Sequence, residues 1–166
     1  MSPTILLLSI HNKYANMLFE GDKQVELRRV RPRHLHNDDL ILVYVTSPKQ
    51  ALVGLLKVEK IVENSPDNLW EIVKKKAGLT HKEFKDYYKN SPTGVAIFVN
   101  KTFSFETPIK LENLKKEWSD FRPPQCYRYL KDAEICLIQS LTRYELSSLS
   151  EQSEYCQLEL SLSLES

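Results

Sequence analysis

A carboxylate and a guanidinium two residues apart, Glu26 and Arg28, stand inside the run Gly21-Asp22-Lys23-Gln24-Val25-Glu26-Leu27-Arg28-Arg29-Val30-Arg31. In an extended strand the two project from one face while Leu27 points to the other. With Lys23 in the turn just before them, they could grip a polar, partly anionic ligand. They could equally be a cross-strand ion pair that sits in water. Arg29, Arg31 and Arg33 continue the charge with a side chain suited to bidentate phosphate contacts, although a charged strand edge also blocks edge-to-edge aggregation. His11, His34 and His36 lie near this arm in sequence. Two histidines two apart in a loop could ligate a metal, but a third and a fourth ligand are missing nearby, so neither a metal nor another cofactor is expected.

Other residues invite chemistry more weakly. Ser47, in Thr46-Ser47-Pro48, offers a hydroxyl, yet no G-x-S-x-G elbow surrounds it and an acyl-enzyme serine mechanism has little support. Tyr127-Arg128-Tyr129 follows Pro123-Pro124 and sets two aromatics around a cation. Such a triplet could stack on a base and touch phosphate, or simply pack. Tyr87 and Tyr88 read as the apolar face of a helix. The four glycines (Gly21, Gly54, Gly78, Gly94) are isolated, which excludes both a dinucleotide fingerprint and a Walker loop.

The elements that must carry these side chains follow from periodicity. Ile5 to Ser9 is a continuous apolar run, as in a buried strand. Asn12 can cap a helix bearing Tyr14, Met17 and Leu18 that ends before Gly21. Residues 25–31 form the charged strand, closed by Pro32. Strands are expected at 40–45 and 51–62, the second bent at Gly54. Ser65-Pro66 opens a helix running to Gly78, and Thr80 to Glu83 has the capping-box spacing for another. Residues 95–99 and 102–106 read as a hairpin around Asn100-Lys101. A short helix over 111–118 and a last helix over 127–141 complete the pattern. About six short strands without steady strand–helix alternation predict an α+β fold, a small barrel with peripheral helices.

The chain has 166 residues, 42% hydrophobic and 27% charged, ordinary for one globular domain. All 23 Lys and Arg lie at or before Arg143, whereas five of the 22 acids follow it; the first 144 residues thus carry +6 and the last 22 carry −5. A mildly basic body favours an anionic partner without the density that would by itself establish nucleic-acid binding. The expected division is a domain over 1–143 and an acidic, Ser/Leu/Glu-rich flexible tail over 144–166. Cys126, Cys136 and Cys156 show no metal or disulfide spacing. With no membrane-length apolar stretch and too short an apolar start for a signal peptide, a cytoplasmic, monomeric protein is expected.

Three segments taken together resemble one known family: Ser9-Ile10-His11-Asn12-Lys13-Tyr14-Ala15, Gly21 to Arg28, and Tyr44-Val45-Thr46-Ser47-Pro48. They are similar to the ASCH domain, a branch of the PUA-like superfamily of small β-barrels. Leu69-Trp70-Glu71, the helix over 80–88 and Pro123 to Leu130 extend the resemblance to roughly residues 4 to 140. It implies a cleft between the first helix, the strand after it and the strand ending at Ser47, with RNA or another nucleic acid as ligand, in RNA metabolism or transcriptional regulation. Lys23, Glu26 and Arg28 would line this cleft, Ser47 would form its far wall, and Lys13 and Tyr14 would serve packing and the rim. Arg29, Arg31, Arg33, Tyr127 and Arg128 would extend the contact surface.

The resemblance also implies an alternative, because some ASCH relatives are amidohydrolases acting on acetylated cytidine. They share Lys23, but carry a threonine in place of Glu26 and a glutamate near the position of Ala77. A binding module is therefore the expected function, with Lys23 and Glu26 as the catalytic pair if the chain is a hydrolase of a modified nucleoside or of RNA. A protein-interaction domain working through the acidic tail is the third alternative.

Overall fold

The computed structural model describes residues 4–146. Its centre is one six-stranded sheet in the order β2-β5-β4-β3-β1-β6, formed by β1 (Ile5–Ile10), β2 (Val25–Arg28), β3 (Leu40–Val45), β4 (Ala51–Asn64), β5 (Gly94–Lys110) and β6 (Tyr127–Tyr129). Only β1 and β3 run parallel; every other pair is antiparallel. The sheet curls into a half-barrel. Arg28 on β2 reaches the carbonyl of Ser9 on β1 at 2.9 Å, although three strands separate β2 and β1 in the sheet order, and only a curled sheet permits that contact.

Both faces of the central strands are buried, and strand alternation sorts their side chains into two cores. Ile5, Leu7, Leu40, Leu42 and Tyr44 face Leu114 and Ile138, from helices α4 (Leu111–Glu117) and α5 (Asp132–Thr142). Leu6, Leu8, Ile41, Val43, Val95 and Ile97 face inwards with Ala15 and Leu18 of α1 (Asn12–Glu20). A third cluster packs Leu69 and Val73 of α2 (Pro66–Val73) and Phe84 of α3 (His81–Tyr87) onto Val25, Leu27, Ala96 and Phe98. At Gly54 a side chain would collide with the Phe103 carbonyl and the Phe19 ring, which explains a glycine at the bulge where β4 bends.

The α+β class, the six strands and the capping box of α3 agree with the sequence reading; Thr80 and Glu83 hold each other's backbone as that spacing requires. Five elements differ. The charged strand stops at Arg28 instead of 31, where Arg29 turns to lie over the Tyr87 ring. No hairpin forms at Asn100-Lys101, because β4 is long enough to pair with β5 on both sides of that point across a bulge. The last helix starts at Asp132, because Tyr127 to Tyr129 pair with the free edge of β1. Helix α1 takes His11 as its N-cap, with Asn12 already helical, and α2 ends at Val73, five residues before Gly78. Tyr144 and Leu146, at the start of the expected tail, pack on the first core; residues 147–166 lie outside the described residues.

Candidate nucleic-acid cleft

Strand register aims the site. Glu26 lies opposite Ile97 and Arg28 opposite Val95, so both point to the concave side of the half-barrel, while Val25 and Leu27 anchor β2 against α2 and α3. The free edge of β2 is closed by hydroxyls from α3 and its C-cap. Tyr87 donates to the Leu27 carbonyl at 3.3 Å and Tyr88 to the Arg28 carbonyl at 2.9 Å. Burial pushes both phenols above the usual tyrosine range, so they stay protonated donors.

Lys23 precedes β2, and its backbone N–H donates to the Met17 carbonyl at 3.0 Å. Its side chain is only 3% exposed, and Nζ donates to the Ala77 carbonyl at 2.6 Å. Gly78 lets the α2–α3 connection press on it: a Cβ there would meet Met17 Cε at 2.6 Å and Lys23 Cβ at 3.2 Å, and φ is +65°. Desolvation holds the Lys23 ammonium below its ordinary pKa, outweighing the opposite pull of Glu26 and reinforced by Arg28. Glu26 is 7% exposed, and its Oε1 accepts from Arg28 Nε at 3.1 Å.

These three side chains converge on one open cleft of about 210 Å³. Tyr14 of α1 and Tyr87 of α3 line it, and Lys23 Nζ lies 5.4 Å from the centre of the Tyr14 ring. Glu83 adds a second carboxylate, held below its usual pKa by the Thr80 backbone and hydroxyl, with smaller effects from Lys13 and the Tyr14 hydroxyl. His11 completes the side nearest β1. Lysine, arginine, two carboxylates and two phenol rings can together donate to an anion, accept from an amino group and cover a flat ring.

The other expected site residues are dispersed. Ser47 is exposed in the β3–β4 turn and is absent from the lining of the cleft. Lys13 is exposed at the rim, 5.7 Å from the Tyr14 ring centre. Arg29 donates to the Tyr87 carbonyl at 3.0 Å and stacks over its ring, whereas Arg31 and Arg33 are exposed in the following loop. Arg128 forms a two-pronged pair with Glu134 at 3.0 Å and lies over Trp118, and Tyr127 packs edge-on against Tyr129; neither lines the cleft. Sequence reasoning missed Glu83, seen only as a capping partner, and Tyr14 and Tyr87 as the walls. Among the described residues no group of His, Cys, Asp or Glu could hold a metal ion. No helix there is long and apolar enough to cross a membrane.

A curled six-stranded sheet whose first helix and following strand enclose a lysine–carboxylate–arginine cleft defines a class of small mixed α+β half-barrel. The chain belongs to the ASCH domain family, whose model matches residues 8–123. It is 29% identical over 136 residues to an ASCH domain-containing ribonuclease of Zymomonas mobilis, covering 82% of this chain and 90% of that protein. The crystal structure of ASCH from Zymomonas mobilis matches with a TM-score of 0.77 at 28% identity, covering 83% of this chain and 95% of that one. The N-terminal domain of Staphylothermus marinus McrB, at 10% identity and a TM-score of 0.53 over 82% of this chain and 93% of that one, shares the fold alone.

Proposed function

We propose that this chain binds RNA and seats one unpaired nucleotide in the Lys23–Glu26–Arg28 cleft. The observation that carries this reading is the convergence of buried Lys23, buried Glu26 and half-buried Arg28 on an open cavity lined by Tyr14 and Tyr87. At about 210 Å³ the cavity is smaller than the ~300–1,000 Å³ of most small-molecule pockets. It suits one nucleotide unit, and a duplex is far too wide to enter. Lys23 and Arg28 meet phosphate or carbonyl oxygens, Glu26 accepts from a base amino group, and a phenol covers the ring. The relationship to a protein named as a ribonuclease supports RNA as the ligand.

The test is fluorescence anisotropy of short single-stranded RNA with the parent, Lys23→Met, Tyr14→Ala and, as a control, Arg128→Ala. The first two variants should bind weakly while remaining folded, and Arg128→Ala should lose stability but keep affinity. Equal affinity of the parent, Lys23→Met and Tyr14→Ala at low salt would sink the proposal.

A carboxylate, Glu26, beside the Arg28 guanidinium in the cleft, together with the relative named as a ribonuclease, favours a second reading, RNA cleavage at the same cleft. Glu26, as general base, takes the proton of a ribose 2′-hydroxyl, whose oxygen bonds to the adjacent phosphorus. The bond from phosphorus to the 5′-oxygen breaks, and that oxygen leaves with a proton from an acid. Arg28 offsets the charge building on the phosphate. End-labelled RNA should then shorten with the parent and stay intact with Lys23→Met and Glu26→Gln; intact RNA with the parent leaves binding alone.

A further inference from the structure

We infer that the RNA strand continues from the cleft past His11 and over the β3–β4 turn into a second, lysine-lined groove that holds its phosphates. This rests on the reading that the cleft takes RNA. The groove measures about 440 Å³ and gathers Lys49, Gln50, Lys110 and Lys115, with Glu112 its single carboxylate. None of the three lysines forms an ion pair among the described residues. Like charges brought together in a concavity repel one another, and an anion laid along them relieves that repulsion.

The lysines are held in place by backbone. Ala51 pairs with Lys110 across β4 and β5, and the Leu111 N–H donates to the Gln50 carbonyl at 2.9 Å. That pairing joins Lys49 and Lys110, which are distant in sequence. Lys115 stands one helical turn beyond Leu111 on α4, which is fixed by buried Leu114.

The pairing of β1 with β3 links the cleft to the groove. Ile10 pairs with Val45, and the Thr46 N–H donates to the Ile10 carbonyl at 3.1 Å. His11, the next residue after Ile10, lines the cleft, while Pro48 and Lys49, just beyond Thr46, line the groove. The chain from Thr46 to Lys49 spans at most about 10 Å. At ~3.4 Å per stacked nucleotide, about three nucleotides beyond the seated one reach the lysines. Exposed Ser47 lies on this route, as a crossing point instead of a cleft wall.

The experiment compares a uridylate dinucleotide with a uridylate 12-mer, using the full chain and a triple variant, Lys49→Gln with Lys110→Gln and Lys115→Gln. Each single-strand phosphate contact contributes about 0.7 to the slope of log affinity against log salt. The triple variant should therefore lose about 2 from the 12-mer slope and bind it roughly 100-fold more weakly at 0.1 M salt. Its affinity for the dinucleotide should not change. A control replacing Lys75, Lys85 and Lys89 by Gln removes the same charge elsewhere and should retain most of the 12-mer slope.

An unchanged 12-mer slope in the triple variant, with Lys23→Met still weakening both probes, overturns the groove and leaves the cleft standing. So does an equal loss for both probes, or an equal loss in the control. If the parent binds neither probe, the cleft reading falls and the groove falls with it.

Discussion

Removing the Arg28 side chain tests the architecture of the cleft directly. Arg28→Ala deletes the 3.1 Å contact to Glu26 and the 2.9 Å bond to the Ser9 carbonyl that ties β2 to β1. The Glu26 side chain is 9% exposed, so its carboxylate is left nearly buried without its guanidinium. Breaking a buried pair costs roughly 3–5 kcal/mol, and the lower end applies because the cleft is open and Lys23 still attracts Glu26. The lost bond to Ser9 adds about 1 kcal/mol. A total near 4 kcal/mol corresponds to a fall in Tm of roughly 10 °C for a domain of this size. Adding Glu26→Gln removes the stranded charge, so the double variant should be more stable than Arg28→Ala alone, with a coupling of about 2 kcal/mol. Urea denaturation of the parent, both singles and the double variant at neutral pH measures the cycle. A loss below about 0.5 kcal/mol for Arg28→Ala, with additive single effects, would show a solvated pair typical of surfaces and would falsify the account of the cleft given above.

Three further perturbations probe the parts that hold Lys23 and Glu83. Burial keeps Lys23 below its ordinary 10.5, so the folded chain binds fewer protons there than the unfolded chain and this site gains stability as pH rises from its folded pKa towards 10.5. The stability of Lys23→Met relative to the parent should therefore decline across that window; a difference independent of pH contradicts the desolvation. Gly78→Ala puts a Cβ against Met17 and Lys23 at a φ of +65°, and should cost about 1–3 kcal/mol in denaturant titrations while weakening RNA binding. Wild-type stability in that variant would mean that the α2–α3 connection does not brace Lys23. Thr80→Ala removes the two bonds that the Thr80 hydroxyl makes with Glu83 and leaves the one from the Thr80 backbone N–H, so it should cost about 1 kcal/mol and raise the Glu83 pKa in a carbon-detected NMR titration.

Local patterns in the chain were legible because a single element decides them. The two-residue period put Glu26 and Arg28 on one face of a strand, Gly21 ended α1, and Thr80 with Glu83 announced a helix start. What depended on pairing between distant segments was hidden. Tyr127 to Tyr129 read as helix until β1 offers them an open edge, and the span around Asn100 read as a turn until the length of β4 keeps it in the sheet. Tyr14 and Tyr87 carry ordinary core signals, and only the packing of α1 and α3 onto the sheet brings both to line one cleft. The pairing of Arg128 with Glu134 was hidden because Glu134 lies in the helix that follows, whose start was itself misplaced.

Glu26 and Arg28 sit opposite Ile97 and Val95 on a face whose strand residues are aliphatic, and Lys23 is buried beside them. Apolar residues of similar volume would generally stabilise such a position better than charges do, so fold stability alone does not account for them. Their formal charges sum to +1, and Glu83 at the rim cancels it, so the cleft is close to neutral as a whole. A neutral but desolvated constellation has little power to draw an anion from a distance and considerable power to discriminate at contact, since each charge interacts strongly over short range. If RNA is the ligand, as proposed, attraction comes from outside the cleft, from exposed Arg31 and Arg33 and from the lysine groove. This division makes a distinct demand on binding data. Flank substitutions should act mainly on the salt dependence and association rate, and substitutions at Glu26 or Tyr14 mainly on the choice of base and on dissociation.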